Sequence, residues 1–277
     1  MKIKIVSDST CDIPRELAEK MNITIIPLYV LFADKIYRDG VDITPKEFYE
    51  MQKASEELPK TSQPSVGEFS ALYEELLEDY DEIISIHISS GLSGTVNSAL
   101  RAKERFSDRI KVIDSKSISL GIGVQVIEAA MMAMDGIDSA RIIERVEEIK
   151  KRTELLFTLD TLTYLEKGGR IGKVSSLLGS FLNIKPIVRV VDGIYVPVGK
   201  TRSQRQSIIK IVEVMETLLD SKKPETIVIG HGQGYEMALE LKSLVESKFD
   251  KSVDFLTDTG PVIGVHTGPG TLGIAFY

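Results

Sequence analysis

The segment Ser89-Ser90-Gly91-Leu92-Ser93-Gly94-Thr95 holds the densest chemistry in the sequence. Its glycines let a ligand approach the backbone closely. Ser89, Ser90, Ser93 and Thr95 add hydroxyl donors, and a following helix would add free N–H groups and the positive end of its dipole, which together suit an anion. The Walker lysine is missing, and the same residues also make an ordinary Ser/Thr helix cap. Ser7-Asp8-Ser9-Thr10 follows a strand pattern and reads as a turn and cap, or as a ligand contact on the sheet edge that holds Ser93. Thr61-Ser62-Gln63-Pro64-Ser65 is a stiff hydroxyl-rich loop that matters chemically only if the fold brings it to Ser93.

His266-Thr267-Gly268-Pro269-Gly270 offers a histidine suited to an anion or to proton transfer, or simply a hydrogen-bonded turn. Lys167-Gly168-Gly169-Arg170 reads as a basic helix C-terminus or as an arginine exposed to phosphate or a partner. Gly230-His231-Gly232-Gln233-Gly234 supports a nucleotide- or phosphate-binding alternative. Its spacing is not Gly-x-Gly-x-x-Gly, and a strand-to-helix turn is the better explanation. Ser93 with His266, and Asp8 as a third member, leaves open a small-molecule hydrolase or transferase, although no Gly-x-Ser-x-Gly elbow is present. His87, inside an apolar strand, reads as a core histidine. No catalytic residue is assigned. Three histidines and one cysteine, Cys11, give no basis for a metal site.

These motifs need positioning elements. Residues 1–152 alternate strand and helix, the pattern of a parallel α/β sheet, with a β excursion around residues 23–43. A helix is expected from about Ile13 to Met21 with Asp12 as its N-cap. Ile23 to Phe32 reads as a strand bent at Pro27. Thr44–Glu47 and Ser65–Glu68 are capping boxes that open helices, and Leu58 to Pro64 reads as extended loop. Ile118 to Met134 is apolar on all sides. Residues 153–277 read as an α+β domain with a mixed or antiparallel sheet. It contains a hairpin at Asp192-Gly193 and further strands at Val253–Leu256, Val262–His266 and Leu272–Phe276.

The 277 residues favour two domains, and 43% hydrophobic with 27% charged residues is ordinary for a globular chain. A net charge of −7 argues against nucleic acid as the main partner. The amino terminus has no apolar signal core, and Ile118–Met134 is too short and polar to span a bilayer. The expectation is a cytoplasmic protein without integral membrane association.

Taken in order, Ser7–Thr10, Thr61–Pro64, Ser89–Thr95, Gly168-Gly169-Arg170-Ile171 and His266–Gly270 resemble the DegV family along essentially the whole chain. The resemblance implies a long-chain fatty acid held in a tunnel between the two domains, with no other cofactor. It also implies service as the acyl-carrying subunit of a bacterial fatty-acid kinase, whose separate ATP-binding subunit makes the acyl phosphate used in phospholipid synthesis. By position it implies that Thr61, Ser93 and His266 hold the carboxylate, that Ser62 and Gly94 add contacts, and that Arg170 faces the kinase subunit or the phosphoryl group. Burial of about 15 methylenes at about 0.8 kcal/mol each gives on the order of 12 kcal/mol before the costs of association. The expected radius of gyration, about 19 Å, accommodates a channel of that length. Ile118–Met134 is the expected wall.

Overall fold

A computed structural model describes residues 1–177 and 184–277. The chain opens with β1 (Ile3–Asp8), α1 (Arg15–Lys20) and β2 (Ile23–Ile26), then leaves through β3 (Tyr29–Phe32), β4 (Lys35–Arg38), α2 (Pro45–Ala54) and β5 (Lys60–Ser62). It returns by α3 (Val66–Asp79), β6 (Glu82–His87), α4 (Thr95–Lys103) and β7 (Ile110–Asp114). Helices α5 (Leu120–Met134) and α6 (Ser139–Arg152) lead to β8 (Glu154–Thr158) and α7 (Thr163–Lys167). After β9 (Lys185–Val191), β10 (Ile194–Thr201) and α8 (Gln204–Leu219) come β11 (Ile227–His231) and α9 (Tyr235–Phe249). The chain closes with β12 (Phe255–Asp258), α10 (Pro261–Thr267) and β13 (Leu272–Phe276).

The first sheet is all parallel, in the order β2-β1-β6-β7. The second is mixed, in the order β10-β9-β8-β13-β11-β12, with only β11 and β12 parallel. The architecture is therefore α/β, as expected. Helix α5 packs against β1 and β6 on one side and β8, β11 and β13 on the other. A helix between two sheets buries every face, which explains why its sequence is apolar all round. Leu155, Phe157, Val188 and Ala275 from the second sheet join Ile5, Ile84, Ile86 and Ile122 in one core. Helices α8 and α9 cover the outer face of the second sheet through Ile211, Met215 and Leu241.

Several local expectations change. Ile23–Phe32 is not one bent strand. Pro27 cannot donate to a ladder, and the chain divides there between the first sheet and a separate three-stranded sheet, β4-β3-β5. The expected loop around Lys60 supplies β5, with Thr61 opposite Val30. Asp12 is not a helix N-cap; it sits in the left-handed region, and α1 starts after Pro14. Val262–His266 is not a strand but most of α10, entered through Pro261 at its first position. A short, fully buried apolar run does not distinguish strand from helix by its pattern. Both capping boxes form as expected.

Candidate functional site

The site is assembled at the carboxyl edge of the first sheet, where β1 and β6 end side by side. Asp8 fastens that edge. Its carboxylate accepts hydrogen bonds from the Thr10 N–H and hydroxyl and from the Ile88 N–H (3.0 Å), and pairs with His87 Nδ1 (2.9 Å). His87 Nε2 meets Ser85 Oγ at 2.6 Å, so this histidine is a satisfied core residue. The loop leaving β6 is thereby held in place ahead of α4. Gly94 lets Gln63 cross it: a Cβ there would fall 2.2 Å from the Gln63 side-chain oxygen. Gln63 in turn donates to Ser98 Oγ at 3.0 Å. This crossing brings the Thr61 loop to Ser93.

From the second half, α7 and α10 meet through glycines. A Cβ on Gly168 would lie 2.4 Å from His266 Nδ1, and Gly268, at φ +72°, lies against the Tyr164 ring. That close contact sets His266 beside Arg170. Thr61, Ser93, Arg170 and His266 then line one small chamber of about 30 Å³, partly open to solvent, with Leu28, Leu92, Tyr195 and Ile263 among its apolar walls. A second chamber, also of about 30 Å³, adjoins it and shares Ile118, Tyr195, Ile263 and Thr267. Each has room for about one or two water molecules as it stands, well below the roughly 300–1,000 Å³ of small-ligand sites. Both are narrow slits.

The hydroxyl geometry at the mouth is specific. Thr61 Oγ1 lies 2.9 Å from His266 Nε2. Burial, and then the Arg170 charge, push the histidine pKa down to about 4, so the ring is neutral at pH 7. A neutral ring with Nε2–H donating to Thr61 leaves the threonine proton free for a ligand. Ser93 Oγ likewise accepts from the Thr95 N–H (3.3 Å) and lies 2.9 Å from Thr95 Oγ1. When Thr95 is the donor in that second contact too, the serine proton is also free. Two hydroxyls whose oxygens are already engaged, with a helix N-terminus behind one of them, suit an anionic oxygen. Arg170 is exposed at the rim, donating to Gly168 O at 2.9 Å.

The inner chamber is apolar despite its threonines. Thr267 and Thr271 donate to the carbonyls of Ile263 (2.9 Å) and Gly268 (2.8 Å), and Thr259 Oγ1 lies 2.8 Å from the Tyr49 hydroxyl. Their hydroxyls are spent on the protein. Of α5, only the first turn, with Ile118 and Ser119 before it, reaches the chambers; the rest is core between the sheets.

Not every candidate converges here. Ser62 alternates with Thr61 along β5 and is exposed, so it turns away from the chamber. Gly94 serves the Gln63 crossing and is not among the chamber walls. Ser93, His266 and Asp8 do not form a triad. Asp8 is committed to His87, and His266 Nδ1 has no hydrogen-bond partner. The glycines from Gly230 to Gly234 are used in packing: a Cβ on Gly232 would strike the Tyr49 hydroxyl at 2.5 Å, and Gly230 faces Leu120. Tyr195, at the junction of the chambers, carried no signal in the sequence, because a hairpin tyrosine is more often a plain core residue.

A much larger cleft, about 720 Å³, opens beside the start of α10, with Asp12, Asp39 and Asp258 among its lining residues. Asp12 accepts from the Gly260 N–H at 2.8 Å and from the Ser119 hydroxyl; Asp39 accepts from Ser9 Oγ at 2.9 Å and from the Val262 N–H. Burial raises Asp12 to about 7 and Asp39 to about 8. These carboxylates tie the start of α10 to the first half of the chain.

The family model described as "Uncharacterised protein, DegV family" matches residues 2–277. Protein DegV of Bacillus subtilis is 38% identical over 279 residues, covering 100% of this chain and 99% of that protein. Among solved structures, a DegV family protein from Thermus thermophilus described for its fatty-acid binding is 32% identical with a TM-score of 0.94, covering 100% of this chain and 99% of that one. A stearic-acid-binding protein from Eubacterium ventriosum is also 32% identical, with a TM-score of 0.92 and coverage of 99% and 97%. This chain belongs to the DegV family.

Proposed function

We propose that this member of the DegV family binds one long-chain fatty acid, with its carboxylate at Thr61, Ser93 and His266 and its tail in the two linked chambers. The observation that carries this reading is the join between the Thr61 and Ser93 hydroxyls, each beside a group able to donate to it, and narrow apolar gaps behind them. Neutral donors hold a carboxylate without a buried ion pair, and burial of the tail supplies most of the affinity. Side chains at the junction, Tyr195 and Ile263, rotate to set the bore, a scale of change common on binding. We divide the chain into a parallel α/β domain, residues 1–152, and an α+β domain, residues 153–277, closing over the ligand.

The protein is, in this reading, a carrier rather than an enzyme. It presents the carboxylate to a separate ATP-binding kinase subunit in the cytoplasm. One carboxylate oxygen forms a bond to the terminal phosphorus of ATP, the bond from that phosphorus to ADP breaks, and the acyl phosphate goes on to phospholipid synthesis. Arg170, exposed at the rim, faces the incoming phosphoryl group or the partner in this reading. Among the described residues, no helix is long and apolar enough to cross a membrane.

Calorimetric titration with palmitate and with the alcohol of the same chain tests the headgroup assignment. Loss of one hydrogen bond to a charged group costs about 1.5–3 kcal/mol. Ser93→Ala and Thr61→Ala should therefore each weaken palmitate at least tenfold and weaken the alcohol much less. Equal losses for both ligands would contradict the assignment.

A further inference from the structure

The inner chamber is floored by an unusual stretch of sheet. Gly230 on β11 and Gly273 on β13 are direct cross-strand partners, and Gly273 also stands opposite Phe157 on β8. Side chains alternate along a strand. Ile229 and Ile274 point into the outer core, whereas Val228 and Ala275 point toward α5. The glycines therefore leave bare backbone on the face toward α5, at the chamber.

Neither glycine is needed for backbone shape, since neither has a positive φ. Nor does crowding demand a glycine at residue 273: a Cβ there would meet its nearest atoms at 3.6 Å, an ordinary contact. At Gly230 the three atoms nearest an added Cβ all belong to the flexible Leu120 side chain, the first at 3.3 Å. Glycine within a strand weakens it and often marks the close approach of a ligand. Two of them paired on adjacent buried strands, against a chamber whose hydroxyls are all turned to the protein, make a dry floor without side chains, which Leu120 overlies at Gly230. Leu120, fully buried on the first turn of α5, closes the chamber from the other side.

We infer that Gly230 and Gly273, with Leu120 opposite, form the gauge that sets the length of acyl chain the protein accepts. The methyl end of a saturated chain stops on the bare sheet. This rests on the proposed headgroup site, since the mouth must fix the other end before the floor can measure anything. Ser119, Thr259, Thr267 and Thr271 close the sides and offer no free donor to a polar tail.

The test is titration of the full-length protein and its Gly273→Ala and Leu120→Ala variants with saturated C14, C16 and C18 acids, alongside thermal unfolding. Each methylene excluded from the channel lowers affinity about fourfold. Gly273→Ala should fold normally and lower the ratio of C18 to C14 affinity by about fourfold or more. Leu120→Ala should raise that ratio; if it fails to fold, Gly273→Ala decides alone. A folded Gly273→Ala variant that binds these acids with the wild-type ratio overturns the gauge and leaves the carrier reading intact. Wild-type protein that binds none of the acids overturns both.

Discussion

Raising the pH from 6.5 to 8 should loosen this fold, because two buried carboxylates must ionise where they stand. Asp12 and Asp39 hold the N–H groups of Gly260 and Val262 at the start of α10, and burial raises them to about 7 and about 8. In the unfolded chain both titrate near 3.8. The folded protein therefore binds more protons between these values. The associated stability is fully present below the unfolded pKa and is lost as pH rises through the folded ones. Each extra bound proton changes stability by about 1.4 kcal/mol per pH unit. From pH 6.5 to 8, Asp12 loses its extra proton near pH 7 and Asp39 near pH 8, for a total of about 2.5 kcal/mol. His231 and His266, whose values are lowered by burial, act in the opposite sense. Their unfolded forms are mostly neutral above pH 6.5, so they offset only a fraction of this loss. Urea unfolding at pH 6.5, 7 and 8, extrapolated to water, reads the effect directly. Asp39→Asn keeps the shape without the charge and should remove about 2 kcal/mol of the decline. Wild-type stability that stays level or rises across this window would refute the reasoning, as would an Asp39→Asn variant with the full wild-type slope.

Two further outcomes follow from the same geometry. Arg170→Ala should leave palmitate affinity close to wild type, because the guanidinium lies exposed at the rim, yet it should impair phosphorylation of the bound acid by the proposed kinase subunit; equal loss in a binding titration and a phosphorylation assay would show Arg170 to be a headgroup ligand. Gly264→Ala should destabilise the protein by about 1–3 kcal/mol in chemical unfolding, since its Cβ would fall 2.6 Å from the Phe48 ring and 2.9 Å from that of Tyr49; unchanged stability would mean that this helix contact yields more easily than two buried rings allow.

Much of the frame was legible in the residues because the strand-and-helix alternation of the first half has distinct periods, and because the capping boxes at Thr44 and Ser65 are local devices. The Asp192-Gly193 hairpin was readable for the same reason. Helix α10 was not. Pro261 through Thr267 is buried on nearly every side, so its apolar run has no polar face from which to read a period. The split at Pro27 escaped because the strands on either side are both β-rich and only their partners differ. At the site, Thr61, Ser93, Arg170 and His266 converge on one chamber, whereas Ser62 fell on the wrong side of a two-residue alternation and Gly94 serves the Gln63 crossing. Tyr195 and the Gly230–Gly273 pair stand out only through tertiary contacts: the register of β11 on β13, and the packing of a hairpin over Ile118.

The most direct test of the central claim is denaturing mass spectrometry of the protein purified from cells, followed by palmitate titration of delipidated protein. The account predicts release of a single C14–C18 fatty acid per chain and saturable rebinding at one site. A chain that carries no acyl ligand and also fails to bind palmitate would contradict it.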